Sequence, residues 1–399
     1  MSVVRETGLM TTASERMAAA WTRAAIARGA VAAIDLDAYR SNIERCRELA
    51  PDSAMMAVVK ADAYGHGLVQ CGRAAREAGA EWLGVALLEE AIRLRDAGVD
   101  GRILAWLATP GADFAECLSR DIDLSISTLW ALDEVTAAVR ETGTPARIHL
   151  KADTGLSRSG ANAEDWPALV EAARAAEGAG TITVVGLWSH FAAADEPGHL
   201  SVARQQLAFD EAVRHVEAAG ITPEVVHMAN SAAMIELPES HHNLVRVGIA
   251  SYGLSPQVAR VSAAELGLRP VMSLRARLAS TKTIPAGTGA SYGWDYMATS
   301  DTTVGLVPLG YADGLPRSAV NTGPVYSAGS TTHLAGRVCM DQIVVELADS
   351  SAQAGDEVVL FGAEGPSADE WAKACGTINY EIVSRIGPRV PRVYVGESS

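Results

Sequence analysis

Several features that would mark a protein class are scarce or missing in this sequence. No apolar run approaches the roughly 18 residues that a membrane-spanning helix requires, which argues against a helical membrane protein. Excess positive charge is also missing, because 33 Lys and Arg stand against 48 Asp and Glu, for a formal charge of −15. Without a basic patch, such a chain is repelled by nucleic acid and by anionic membrane surfaces, so neither is an expected partner. Cysteine is limited to Cys46, Cys71, Cys117, Cys339 and Cys375. Their odd number and wide spacing give neither a disulfide framework nor paired metal ligands; they read as reduced thiols, and no metal site is expected. The first thirty residues lack an uninterrupted apolar core followed by a cleavage site, so they do not resemble a secretory signal and a cytoplasmic location is expected.

What is present fits an ordinary globular protein, with 48% hydrophobic and 20% charged residues. A chain of 399 residues has room for a barrel of about 250 residues and a second domain. Apolar strand candidates occur at residues 54–59, 82–86, 102–107, 122–127, 146–151, 183–188, 224–228 and 244–247, separated by Ala- and Glu-rich stretches of helical period. That βα alternation argues for a parallel sheet, and eight units are the number that closes a TIM barrel. Beyond Leu266 the pattern changes to short strands without helices, at residues 273–283, 303–308, 333–338, 342–347, 357–361 and 392–395, which predicts a separate β domain. The expected class is therefore α/β, an N-terminal (β/α)8 barrel over 31–267 followed by a mostly-β domain over 268–399. Residues 1–30 form an Ala-rich extension expected to be poorly ordered.

Residues 55–67 hold the most informative stretch. An apolar strand ends on Lys60, where loops of parallel sheets collect ligands and catalytic groups, although a solvated strand end is the commoner fate of a lysine on position alone. Tyr64 follows four residues later, ahead of a Gly-His-Gly turn that frees the backbone to bend. Val-Val-Lys-Ala-Asp-Ala-Tyr-Gly-His-Gly, residues 58–67, resembles the cofactor-lysine motif of the alanine racemase family, whose members use pyridoxal 5′-phosphate. The resemblance implies that Lys60 forms the Schiff base with the cofactor and that Tyr64 binds its phosphate.

Polar residues after the seventh and eighth strands extend the likeness. From local sequence alone, Asn230 and Ser231 either cap the helix that follows or supply donors to a phosphate, and both roles are compatible. His-x-x-Asn-Ser at 227–231 and Val-Arg-x-Gly-Ile at 245–249 are similar to family segments, which implies that Asn230, Ser231, Gly248 and Ile249 hold the cofactor and that Arg246 faces its pyridine nitrogen. A cation there keeps that nitrogen unprotonated and weakens the electron sink, favouring racemisation over transamination. His190 is either a satisfied core histidine or, by resemblance, a cofactor-pocket residue touching Arg246. Arg158, near the end of Leu-Lys-Ala-Asp-Thr-Gly-Leu-Ser-Arg, offers a fork suited to a carboxylate. The resemblance implies that it contacts cofactor and substrate, with Lys151 a candidate for carbamylation that holds Arg158 in place. Ser157 stands where glycine is frequent in relatives. Trp106, ending the third strand, is either barrel core or a wall against the cofactor.

In the β domain, Gly-Ala-Ser-Tyr-Gly at 289–293 resembles the segment carrying the family's second base, Tyr292. The segments at 307–314 and 336–342 imply that Tyr311, Arg337 and Met340 line the entrance and substrate pocket, and Tyr380 and Met340 resemble the residues that crowd the substrate methyl, Tyr380 also meeting the cofactor. The implied activity is interconversion of L-alanine and D-alanine by two bases, Lys60 and Tyr292, supplying D-alanine for peptidoglycan. The implied assembly is a homodimer with Tyr292 and Met340 contributed across the interface. Rival readings are a racemase of broader range, a decarboxylase on the same two-domain plan, and a non-catalytic cofactor carrier resembling the barrel alone.

Overall fold

The computed structural model describes residues 21–196, 198–348 and 350–396. The chain divides into two compact units: Ala38–Arg269, and a second made of Met1–Asp37 together with Pro270–Ser399. The second unit is therefore discontinuous in sequence. Its first strand, β1 (Ala30–Asp35), is buried along its whole length, as expected for the run Ala-Val-Ala-Ala-Ile.

The Ala38–Arg269 unit carries eight parallel strands: β2 (Ala54–Val58), β3 (Trp82–Leu87), β4 (Arg102–Leu107), β5 (Asp123–Ile126), β6 (Ala146–Lys151), β7 (Ile182–Trp188), β8 (Val225–His227) and β9 (Leu244–Val247). They match the eight candidates to within about two residues at each end. The sheet order is β8-β7-β6-β5-β4-β3-β2-β9, a barrel whose seam lies between β8 and β9. Backbone and side chain stitch that seam: Arg246 N–H donates to Ala229 O at 3.0 Å, and Asn243 Oδ1 accepts from Val226 N at 2.7 Å. Met56, Trp82, Leu104, Val225 and Leu244 form one buried cluster, with Trp106 packed against it and half-buried. The helices between strands follow the 3.6-residue period; Leu200–Ala218 turns Val202, Phe209, Ala212 and Val216 inward.

In the second unit, β1 lies between β10 (Met272–Arg277), its antiparallel neighbour, and β19 (Arg392–Val395), its parallel one. The boundary expected at residue 31 groups this strand with the barrel, whereas its hydrogen-bond partners are C-terminal. A strand's own sequence reports its burial, not which edge it joins. The remaining strands are β11 (Ser280–Ile284), β12 (Gly289–Ala290), β13 (Tyr296–Met297), β14 (Thr302–Val307), β15 (Pro324–Ser327), β16 (Ser330–His333), β17 (Ile343–Ala348) and β18 (Glu357–Phe361). The run expected at 273–283 is two strands, because the chain leaves the six-stranded sheet after β10 and enters a three-stranded one with β11. The strand expected at 333–338 is not formed. Leu334 makes a single bridge to Val345, and Gly336 at φ +92° turns the chain away.

The described part of the N-terminal extension is ordered. Helix Arg23–Arg28 is capped by Thr22 at its start and by left-handed Gly29 at its end. Trp21 packs with Ala25, Val31, Ala33 and Val395, while its indole N–H donates to Glu357 and its ring lies under the Arg277 guanidinium at 4.5 Å. Residues 1–20 of the extension lie outside the described residues.

Candidate active site

Of the residues singled out in the sequence, Lys60, Tyr64, Trp106, Lys151, Arg158, His190, Asn230, Ser231, Arg246, Gly248 and Ile249 all belong to the barrel unit, at or just beyond the C-terminal ends of its strands. That is the end where barrel enzymes keep their working groups. Lys60 follows β2 after a single residue, Val59. The four residues after it, Ala61, Asp62, Ala63 and Tyr64, have φ of +52° to +54°, one turn of left-handed helix made without glycine. L-residues disfavour that hand by about 1–2 kcal/mol each, so the turn persists only where its surroundings hold it. Glu90 supplies one brace: its buried carboxylate accepts from Ala61 N at 2.6 Å and from Ala86 N and Leu87 N at 3.0 Å. Asp62 supplies another, accepting from Leu68 N at 3.0 Å. Tyr64 is buried against Tyr252, ring centroids 4.7 Å apart, and burial raises its phenol well above the ordinary value, so it stays a hydrogen-bond donor.

Burial, then the Arg158 charge, lower the Lys60 ammonium; Glu90 opposes them, and Arg246 adds a smaller lowering effect. A lysine so placed is more readily a free amine than a solvated one, which suits a nucleophile or a base.

Arg246 is 4% exposed. Nη1 donates to His227 O at 3.0 Å and to His227 Nδ1 at 3.2 Å; Nη2 donates to Ser189 O, Met228 O and His190 Nδ1 at 2.9–3.0 Å. The Nη hydrogens are thus taken up by protein acceptors, while no described residue accepts from Nε. Burial lowers the guanidinium to about 9, so it remains a cation at neutral pH. Both histidines beside it are held well below their usual value, first by burial and then by the Arg246 charge. They meet Arg246 as neutral acceptors.

Asn230 caps the short helix Ser231–Glu236, its side chain accepting from Ala233 N at 3.0 Å. Ser231 does something else. Its Oγ accepts from Gly248 N at 2.9 Å, which ties the loop after β8 to the loop after β9 across the seam and leaves its own hydrogen available as a donor. Gly248 is required by proximity, since a Cβ there would lie 2.4 Å from the Tyr64 hydroxyl. Ser231, Tyr64 and Gly248 therefore meet in one small cradle.

Lys151 Nζ donates to Ser159 Oγ and lies 4.2 Å over the Trp188 ring. No hydrogen bond joins it to Arg158, which is exposed in the loop beyond β6. Burial and the Arg246 and Arg158 charges bring the Lys151 ammonium down to about 7. Ser157 adopts φ +57°, a left-handed conformation that glycine takes up more readily than serine, and its N–H donates to Asp153 Oδ1 at 3.0 Å. Trp106 packs against the barrel's apolar cluster and stands 5.9 Å from the Trp188 ring.

Five candidate residues, Tyr292, Tyr311, Arg337, Met340 and Tyr380, lie in the other unit. Tyr292 is 71% exposed, and its neighbours Ser291, Gly293 and Trp294 all have φ of +55° to +75°. That loop is laced down: Ser291 Oγ donates to Arg337 O at 2.7 Å, and Arg337 forks onto the Asp295 carboxylate at 2.6 and 3.1 Å. Tyr311 N donates to Cys339 O at 2.9 Å, so Tyr311 and Met340, both exposed, sit on adjoining loops. Tyr380 is half-buried on the helix Asn379–Ser384.

Sequence reading gave no role to Trp188, Glu90, His227, His149 or Asp123. One signal was available for the last group: Gly186 interrupts an apolar strand, and a glycine there marks a close approach.

Comparison with known proteins gives a consistent result. The family model "Alanine racemase, N-terminal domain" matches residues 34–256, and "Alanine racemase, C-terminal domain" matches residues 271–394. An alanine racemase from Frankia casuarinae is 54% identical over 367 residues, 91% of this chain and 96% of that one. The crystal structure of alanine racemase from D-cycloserine-producing Streptomyces lavendulae superposes with a TM-score of 0.91 at 55% identity, over 92% of this chain and 97% of that one. An alanine racemase from Bacillus anthracis with bound L-Ala-P superposes with a TM-score of 0.83 at 34% identity, over 92% of this chain and 95% of that one.

Proposed function

This chain belongs to the alanine racemase family, and from that premise we propose that Lys60 and Tyr292 are the two groups by which it moves the Cα proton of alanine. The family is pyridoxal-phosphate dependent, and the protein interconverts L-alanine and D-alanine. A carrier resembling the barrel alone does not account for the match at 271–394.

The residues fit the cofactor. Gly248 leaves a cradle that a Cβ would close, beside the Tyr64 hydroxyl and Ser231; with Ile249 and Asn230 they hold the phosphate end. Arg246, a buried cation whose Nε–H no described residue accepts, stands at the ring nitrogen, with His190 against it. When bound, pyridoxal phosphate supplies a conjugated system that acidifies Cα by taking up its electron pair. Lys60 would anchor it and, as a free amine, would withdraw or return the proton on one face of Cα. Burial and neighbouring cations favour the free amine this requires. Tyr292 serves the opposite face. Arg158 orients the substrate carboxylate, with carbamylated Lys151 in support. Tyr311, Met340, Tyr380 and Trp106 limit the room around the substrate and cofactor. The exposure of Tyr292 and Met340 supports a homodimer in which both residues serve the partner's barrel. The enzyme acts in the cytoplasm and supplies D-alanine for peptidoglycan.

The observation that carries this reading is the lowered ammonium of Lys60 in a barrel that also holds Arg246 and the Tyr64–Gly248 cradle. Borohydride reduction of the yellow holoenzyme should fix the cofactor on the Lys60 peptide. Lys60→Ala and Tyr292→Phe dimers should each be nearly inactive, while refolding them together should restore part of the racemase activity through dimers with one intact site. Label on another lysine would displace Lys60; verified mixed dimers without activity would remove the shared site.

A further inference from the structure

The interior of a parallel barrel is ordinarily filled by apolar layers, and this one is crossed by a polar line. It starts at Arg246 on β9, passes to His227 on β8 and His149 on β6, and ends near Asp123 on β5. Arg246 Nη1 meets His227 Nδ1 at 3.2 Å; His227 Nε2 meets His149 Nδ1 at 3.0 Å; His149 Nε2 lies 3.6 Å from Asp123 Oδ2. Both imidazoles are completely buried, as is the carboxylate.

The proton positions along this line are forced from one end. An arginine can only donate, so His227 Nδ1 must be the bare nitrogen, and the ring carries its hydrogen on Nε2. That hydrogen has His149 Nδ1 as its acceptor, so His149 in turn carries its hydrogen on Nε2. The last N–H is directed at Asp123, beyond hydrogen-bond range but within strong electrostatic reach of a buried anion. Burial opposes the charge on Asp123, but His149 and the guanidinium groups of Arg102 and Arg147 outweigh it and keep the carboxyl below its ordinary value.

The backbone is shaped around this line. The β6–β7 register shifts between Ile148 and His149, with Val185 as the extra residue on β7, so that Gly186 stands beside His149, and a Cβ on Gly186 would lie 2.0 Å from His149 Nδ1. Trp188 stacks flat on His227, planes 4° apart, and Trp82 meets His149 edge-on. A bulge and a glycine devoted to one buried imidazole are more than filling a barrel requires.

The geometry points to His149 as a positioning residue for the reaction: with Asp123 behind it, it locks His227 in the one tautomer that accepts from Arg246, and so fixes the guanidinium that faces the cofactor ring. This rests on Arg246 being the ring-nitrogen partner. Losing His149 frees His227 to rotate or change tautomer, and Arg246 then loses one charge-assisted hydrogen bond.

The test compares holoenzymes of His149→Leu, His149→Asn and Arg246→Gln with the unmodified protein. Asparagine places an acceptor where Nδ1 stood. His149→Leu should shift the cofactor absorption band in the same direction as Arg246→Gln and raise abortive transamination per racemisation event by at least about tenfold, the lower end of what one hydrogen bond to a charged group is worth. His149→Asn should return both towards the unmodified values. A folded His149→Leu with unaltered band and partition would overturn the inference. Imidazole 15N shifts of the unmodified protein decide the point separately: Nε2–H tautomers at His149 and His227 support it, and Nδ1–H at either one overturns it, even if His149→Leu fails to fold. If Arg246→Gln leaves the band unchanged, the ring-nitrogen assignment has failed, and the effect on the cofactor inferred for His149 falls with it.

Discussion

Substituting Gly248 tests the phosphate cradle through packing alone. A Cβ at this position would lie 2.4 Å from the Tyr64 hydroxyl oxygen and 3.2 Å from its Cζ, where ordinary contacts begin near 3.4 Å. Tyr64 has no easy retreat. Its ring lies against Tyr252, whose hydroxyl donates to Val58 O at 2.9 Å and so touches the strand that leads to Lys60. Forcing one methyl into such a site costs about 1–3 kcal/mol. The backbone adds to this, because φ −109° and ψ −97° lie outside the usual wells for a residue with a side chain, at about 1 kcal/mol or more. Gly248→Ala should therefore destabilise the cofactor-free protein by about 2–4 kcal/mol. Tyr64→Phe in the same chain removes the atom at 2.4 Å and leaves 3.2 Å as the closest approach, so the double variant should recover about 1–2 kcal/mol relative to the sum of the single effects. The backbone share stays lost. Urea unfolding of cofactor-free protein measures this cycle without interference from the phosphate, and a cofactor titration of each variant then shows what the cradle contributes to binding. Additive effects in the unfolding experiment would mean that Tyr64 and Gly248 do not share the space attributed to them.

Lys151 gives a pH signature. Its ammonium is brought down to about 7 from a usual 10.5, so between those values the unfolded chain holds one more proton at this site than the folded one, and the site's contribution to stability rises with pH across that window. In protein kept free of carbon dioxide, so that Lys151 is an unmodified amine, Lys151→Met should flatten the pH dependence of the urea midpoint between about 7 and 10.5, and an unchanged slope would refute the burial argument. The same lowered ammonium makes the free amine available to carbon dioxide, so 13C-bicarbonate should give a carbamate signal that Lys151→Met lacks. Glu90→Ala leaves the N–H of Ala61 at the Lys60 turn and those of Ala86 and Leu87 at the end of β3 without their acceptor and should cost about 2–4 kcal/mol; a loss below about 0.5 kcal/mol would mean the left-handed turn does not depend on this brace. Tyr380→Ala should raise the rate with serine relative to alanine in a chiral assay, and unchanged relative rates would remove Tyr380 from the substrate pocket.

The sequence made the barrel legible because each of its strands is a short apolar run set between helical periods, a signal that needs no tertiary information. That Lys60, Ser231 and Arg246 stand at strand ends was legible for a related reason, each closing or following such a run, whereas the roles proposed for them and for Tyr64 came from the family resemblance. The left-handed turn at 61–64 was not, since Ala-Asp-Ala contains no residue whose preference announces that hand; the conformation is imposed by Glu90 and the packing of Tyr64. The hairpin of β15 and β16 escaped because its turn uses Ala328 and Gly329 at positive φ in place of the usual Asn-Gly. His149 and Asp123 escaped because a polar residue in a strand shows its role only when the parity of the barrel is known. The pairing of β1 with β10 and β19 depends on partners more than 230 residues away, which no local window contains.

That pairing sets an order of events during synthesis. The strand Ala30–Asp35 leaves the ribosome early, but β19, its parallel neighbour, emerges some 360 residues later, roughly 20–70 s at ordinary translation rates. Until β10 emerges, about 240 residues after it, this mostly apolar segment has both edges unsatisfied, and from then until β19 is made it still lacks its second neighbour, although everything needed for the barrel has been made. Folding of the nascent chain is thus nested, the middle closing before the ends can meet. A stop codon shortly before Arg392 would remove little of the chain by length, yet it would leave β1 with one edge unpaired and convert the finished protein into a target for chaperones and strand-to-strand aggregation.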